Sequence, residues 1–101
     1  MELLTKELEK RLPKLYATEN IKAEEKIVHI KYFTPDSNWS WYVTEYHRKN
    51  RLFFGYVIGL ESEWGYFTLD ELEQTTGPLG LHIERDISFK PRMFKDIKEI
   101  V

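Results

Sequence analysis

The chain has 101 residues, 42% hydrophobic and 15% aromatic, with 15 Lys and Arg against 17 Asp and Glu and no cysteine. That is long enough for one core and too apolar for a disordered chain, and it excludes disulfides, thiolate metal sites and a cysteine nucleophile. The opening MELLTKELEK is charged throughout and no apolar run reaches signal-peptide or membrane-span length, so the expectation is a soluble, cytoplasmic protein with no membrane partner.

In chain order, Leu4, Leu8, Leu12 and Leu15 recur at helical spacing, and Thr5 is placed to cap the start of that helix. Pro13 lacks a backbone donor, so the helix ends or kinks near Leu12. Residues 19–26 read as a polar connection. A first strand is expected over Ile27 to Phe33, a second over Trp39 to His47 and a third over Leu52 to Glu61. The link Arg48–Arg51 is too short for anything but an antiparallel hairpin.

Placing His47 opposite Leu52 pairs Val43 with Tyr56, Trp41 with Ile58 and Trp39 with Leu60. In that register the tryptophans face the core. Tyr42 and Tyr46 then share the opposite face with Gly55 and Gly59, a glycine pair that marks a bulge or a close approach, either of a covering helix or as the floor of a shallow trough walled by the tyrosines. Trp64 to Phe67 reads as a short strand.

Thr68 and Glu71 have capping-box spacing, and Phe67 and Leu72 the matching staple positions, so a helix starts after Thr68 and runs toward Gly77-Pro78. LHIERDISF alternates like a strand. Pro91 suits the first turn of a C-terminal helix with Met93, Phe94, Ile97, Ile100 and Val101 as its buried stripe. The sum is a single α+β domain over residues 1–101: a mainly antiparallel sheet of four or five strands with short N-terminal, inserted and C-terminal helices.

The blocks LPKLYATE, FTPDSNWSWYVTEY, LFFGYVIGLESEWGYFTLDELE and GPLGLHIERD, running from about Leu3 to Phe89, resemble a family of small bacterial proteins carrying a domain of unknown function. Members of that family are often encoded on plasmids, phages and integrative elements. The resemblance implies an association with mobile DNA and supplies no catalytic residues.

Candidate sites are few. Asp36 and Asn38 stand in the turn Pro35–Asn38, whose ordinary use is to build and cap the turn itself. Trp39, Trp41, Tyr42 and Tyr46 are candidate stacking surfaces, with the tyrosines the better placed in the expected register. Glu45 and His47, two apart on a strand, share a face where a carboxylate can tune an imidazole, and Asp86 is a further acid–base candidate. Arg85, in the apolar phase of its strand, suggests a structural pair with a carboxylate. His29, His47 and His82 have no metal spacing, and the GPLG run opens no phosphate loop, so neither metal nor cofactor is expected.

Between Arg51 and Arg85 the chain has no Lys or Arg, while the C-terminal run carries Lys90, Arg92, Lys95 and Lys98. Glu63, Asp70 and Glu73 of the acidic interval are therefore candidate contacts for a protein partner with a basic surface. The leading reading is a non-enzymatic interaction factor of mobile elements, an accessory or anti-defence regulator. The first alternative is a nucleic-acid binder using the tyrosine trough and the basic C-terminal residues. The second is a small hydrolase-like enzyme using Glu45, His47 and Asp86. The sequence leaves oligomeric state open.

Overall fold

The computed structural model describes residues 1–100. Among them are the helices α1 (Lys6–Arg11) and α2 (Leu69–Gln74) and seven strands. The strands are β1 (Ile27–Val28), β2 (Ile30–Phe33), β3 (Ser40–His47), β4 (Leu52–Ile58), β5 (Ser62–Thr68), β6 (Glu84–Arg85) and β7 (Arg92–Met93). An antiparallel sheet of five strands has the order β5-β4-β3-β2-β6, and β1 pairs with β7 in a second, two-stranded sheet. The fold is α+β, as the alternation and capping patterns imply.

Each helix starts where its side chains provide for it. The Thr5 hydroxyl accepts from Leu8 N at 3.2 Å, and α1 ends at Arg11 before the non-helical Leu12. At α2 both halves of the capping box are made: Glu71 N donates to Thr68 Oγ1 at 3.0 Å, and Thr68 N donates to Glu71 Oε1 at 3.1 Å. This helix stops at Gln74, earlier than the glycine at 77 suggested, because Thr75 turns extended and its hydroxyl takes up the Glu71 carbonyl.

The central hairpin departs from the simple register. His47 does pair with Leu52, Tyr46 with Phe53 and Glu45 with Phe54, but Val43 then pairs with Gly55, Tyr42 with Tyr56 and Trp41 with Val57. Thr44 is a β-bulge. It is fully buried, and its hydroxyl donates to the Phe54 carbonyl at 3.0 Å. One extra residue on β3 inverts the faces beyond it, so Tyr42 and Tyr46 lie on opposite sides of the sheet. The expected tyrosine trough does not form, and both rings are buried.

A matching break at His29 divides the first strand. Val28 packs into one apolar cluster and Ile30 into the other, and His29 N donates to the Val43 carbonyl at 2.9 Å beside the bulge. The larger cluster gathers Tyr32, Trp41, Val43, Tyr46, Phe53 and Phe67 under α2. Phe53 is its hub, with ring centroids 4.8 Å from Tyr46, 5.4 Å from Phe67 and 5.8 Å from Tyr32. The opposite face holds Val28, Tyr42 and Ile97 with Tyr56, Phe89 and Phe94.

The C-terminal α-helix expected after Pro91 is instead β7 followed by one 3₁₀ turn over Phe94–Asp96, because Phe94 N donates to the Lys26 carbonyl and holds the segment against β1. Of its expected stripe, Val101 lies outside the described residues. The strand expected across LHIERDISF contracts to β6: Ile83 is buried, whereas Ile87 is 77% exposed. Conversely β5 is longer than expected, seven residues paired throughout with β4.

Two substitutions test this account. A side chain at Gly55 would place its Cβ 1.9 Å from the Tyr42 carbonyl oxygen, so Gly55→Ala should cost about 3 kcal/mol, as overpacking against backbone does. Thr68→Ala should cost about 1 kcal/mol through loss of the cap. Urea unfolding measures both, with Gly65→Ala, where a Cβ meets nothing within 4 Å, as the near-neutral control.

Candidate functional site

The turn between β2 and β3 is built by Thr34. Its backbone N donates to the Trp39 carbonyl at 3.1 Å, and its hydroxyl accepts from Trp39 N at 3.1 Å. Asp36 then reaches across to the loop that follows α2. Its Oδ2 accepts from Leu79 N at 2.7 Å, and its Oδ1 lies buried against Gly77, where a Cβ would collide with it. The loop holds its own shape through Gly77 N to Leu81 O at 2.9 Å and through Gly80 at φ 83°. A glycine-rich loop with inward backbone donors is therefore filled by the protein's own carboxylate. Asn38 is exposed beside it.

This latch frames a cleft of about 350 Å³ whose lining includes Thr34, Trp39, Trp41, Phe67, Glu71 and Pro78. Trp39 and Trp41, two apart on one face, stack with centroids 5.8 Å apart and planes 29° apart. Trp41 is buried, as the sequence led us to expect. Trp39 is 37% exposed, and its indole lies across Gly59, where a Cβ would sit 2.3 Å from the ring. Trp39 also joins Val57, Leu60, Glu61 and Glu63 in lining a second depression of about 340 Å³. Leu60, expected opposite Trp39 within the sheet, instead stands 94% exposed at the tip of the β4–β5 hairpin, where Gly59 N donates to the Glu61 carbonyl at 3.0 Å.

The acidic candidates separate into two kinds. Asp70 and Glu73 are held by Arg51, whose Nε lies 3.0 Å from Asp70 and whose other nitrogen lies 2.6 Å from Glu73. The first is an ion pair by distance that is not aligned as a hydrogen bond. Glu63 is exposed and makes no ion pair among the described residues. Glu61, at the start of the same acidic interval, belongs with it, and so does Leu60, which the sequence had placed on the core face. The available signal was an apolar side chain in a Gly-Leu-Glu-Ser turn, where burial is unattainable.

The acid–base candidates are not brought into one site. Glu45 is buried, and its carboxylate accepts from Tyr16 N at 2.8 Å, from Thr18 N at 2.9 Å and from the Thr18 hydroxyl. The buried Lys26 ammonium joins this network through Thr18. His47 instead uses Nδ1 to accept from Asn50 N at 3.2 Å. Asp86 follows β6 on the other edge of the sheet, and its carboxylate accepts from Ser88 N at 2.9 Å. The carboxylate partner suggested for Arg85 is replaced by the Glu2 and Leu3 carbonyls, which its guanidinium ties down at the N-terminal end.

Burial pushes the phenols of Tyr42 and Tyr46 above their ordinary range and the His29 imidazole below its own, consistent with positions inside the packing. Among the described residues no three His, Asp or Glu side chains gather as a metal cluster. No described helix is long and apolar enough to cross a membrane.

The family model described as Protein of unknown function (DUF2958) matches residues 3–95. The chain belongs to that family. No curated protein and no solved structure matches it. In this DUF2958 chain, then, the site must be read from geometry, and the geometry gives the two tryptophans opposite tasks. Trp41→Ala should cost roughly 3–5 kcal/mol, the range for truncating a buried large aromatic residue. Trp39→Ala should cost about a third of that or less and leave a folded protein. Urea denaturation with near-ultraviolet circular dichroism separates the two, and equal losses would contradict the assignment.

Proposed function

We propose that this chain is a non-enzymatic protein-interaction factor, serving mobile genetic elements as an accessory or anti-defence regulator. It would hold its partner at the corner formed by Trp39, Leu60, Glu61 and Glu63. The mobile-element setting is what the family resemblance of the sequence blocks implies. The corner carries the binding part of the reading. A large ring immobilised over Gly59 and against Trp41 gives contact area at little entropic cost, and a fully presented leucine stands beside it. Such a centre, flanked by two free carboxylates, fits a partner with an apolar patch rimmed by Lys or Arg. The ionisable residues offered for catalysis are engaged in structural hydrogen bonds, which favours binding over chemistry.

Nucleic-acid binding is the second reading. Burial removes Tyr42 and Tyr46 from it, while Lys90, Arg92, Lys95 and Lys98 are exposed and keep its basic half.

The test begins with affinity capture of the tagged full chain from its native host, with and without nuclease. Binding of variants to the captured partner follows. Glu61→Lys/Glu63→Lys should slow association about tenfold in a salt-dependent way, because exposed charges steer encounter. Leu60→Ala should act on dissociation. Asp70→Lys/Glu73→Lys should do less to association, since Arg51 already offsets those charges. A salt-sensitive complex with single- or double-stranded DNA, abolished only by reversing Arg92, Lys95 and Lys98, would overturn the protein-partner reading in favour of the second.

A further inference from the structure

The two edges of the five-stranded sheet are unlike. β6 closes one edge with two residues, whereas β5 leaves seven residues, SEWGYFT, along the other. Natural edges are usually blunted by proline, lysine, a bulge or shortness. β5 has none of these, and it keeps an unbroken register with β4 from Leu52–Thr68 to Ile58–Ser62.

The direction of its backbone groups follows from the hydrogen bonds just beyond each end. Leu69 N donates to the Arg51 carbonyl at 2.9 Å, and Gly59 N donates to the Glu61 carbonyl at 3.0 Å. Both are hydrogen-bonded positions of one antiparallel ladder, and eight residues apart on β4 they are in phase. Alternation then assigns Phe67, Gly65 and Glu63 to β4 and turns the N–H and C=O of Ser62, Trp64, Tyr66 and Thr68 outward. Thr68 confirms the phase, because its N–H is already taken by Glu71 Oε1. The outward groups of Ser62, Trp64 and Tyr66 have no backbone partner among the described residues.

We infer that β5 is a self-pairing edge: two copies of this chain join antiparallel about a two-fold axis at Gly65, making a continuous ten-stranded sheet. The sequence around that glycine is complementary to itself. The axis sets Trp64 opposite Tyr66 of the second copy, each pair exchanging two backbone hydrogen bonds, with the rings on one face as a cross-strand aromatic pair. Ser62 meets Thr68, whose carbonyl is the N-cap acceptor of α2 and whose N–H is held by Glu71, so the exchanged backbone bonds are those of Trp64 and Tyr66. Glu63 lies opposite Phe67 rather than another carboxylate.

Gly65 faces Gly65 in a close, non-hydrogen-bonded pair, and the space above it is open. The charge at the strand ends matches the same orientation. The Glu61–Glu63 end of one copy lies toward the Arg48–Arg51 turn of the other. Arg51 there already offsets Asp70 and Glu73, and Lys49 is exposed with no carboxylate in ion-pair range among the described residues. The pairing would also place two Trp39–Leu60 corners on one face of the joined sheet.

The test uses the full-length protein in two ways. Sedimentation over a range extending to high micromolar concentration should show wild type passing from monomer to dimer. Tyr66→Pro, which removes an outward donor and leaves the β4 ladder intact, should remain monomeric with a native circular dichroism spectrum. Independently, because the chain has no cysteine, Gly65→Cys should oxidise to a covalent dimer. Paired Cα atoms at such a position lie about 4.5 Å apart, within disulfide range. Glu63→Cys should not link, since the axis leaves its two copies offset by four residues, roughly 13 Å at 3.3 Å per residue.

A wild type that stays monomeric, or a dimer indifferent to Tyr66→Pro, overturns the inference. So does Gly65→Cys linking no faster than Glu63→Cys. The cysteine pair decides alone should the proline variant fail to fold. None of these outcomes bears on the Trp39–Leu60 corner, whose binding is measured separately.

Discussion

One inserted residue in the middle of β3 governs which side chains this protein buries. At Thr44 the strand gains a residue on its partner, and every position before it changes face relative to every position after it. The bulge is stabilised by the hydrogen bond from the Thr44 hydroxyl to Phe54 and requires a glycine at 55, because β3 approaches there closer than any side chain allows. From it follow the burial of Tyr42 on one side and Tyr46 on the other, the switch of face at His29, and two apolar clusters in place of one. A regular hairpin would have made a single dry face and a tyrosine-lined trough.

The bulge also accounts for the least expected burial, that of a carboxylate. Glu45 follows Thr44 and points away from the Phe53 cluster, toward the irregular segment after α1. Without partners a buried carboxylate would be costly. Here it accepts from two backbone N–H groups and a hydroxyl of that segment, with the Lys26 ammonium one residue further along the network. The arrangement fastens a chain segment that has no regular structure of its own. A strand pair of Glu and His that looks like acid–base machinery in one dimension is a structural clasp in three.

A second clasp, Asp36 on the Gly77–Leu81 loop, joins the β2–β3 turn to the chain after α2 and leaves Trp39 between two depressions. Three carboxylates that looked alike as candidates have thus been assigned by their neighbours. Asp36 closes a loop, while Asp70 and Glu73 anchor α2 to the hairpin turn through Arg51. Glu63 remains presented to solvent with Glu61 and Leu60. The exposed chemistry is concentrated at the β4–β5 hairpin and along β5, whose outer edge pairs with no further strand among the described residues.

Local chemistry was legible without coordinates wherever neighbours in sequence settle it. Thr5 and Thr68 start their helices, Arg48–Arg51 closes a hairpin, and the alternation of apolar residues gives a mainly antiparallel sheet. Each depends on hydrogen bonds or packing within a few residues. What only the tertiary structure decided depends on contacts across the chain. The bulge at Thr44 responds to Phe54 and Gly55 on another strand. The C-terminal segment is extended because it pairs with β1, more than sixty residues earlier. Leu60 is exposed because β4 ends at Ile58 and turns into β5. A one-residue shift inverts every side chain beyond it, and period-two alternation carries no record of where such a shift falls. The sequence by itself therefore determined the class of fold and its caps, whereas the faces of the sheet, and with them the surface offered to a partner, were set by long-range pairing.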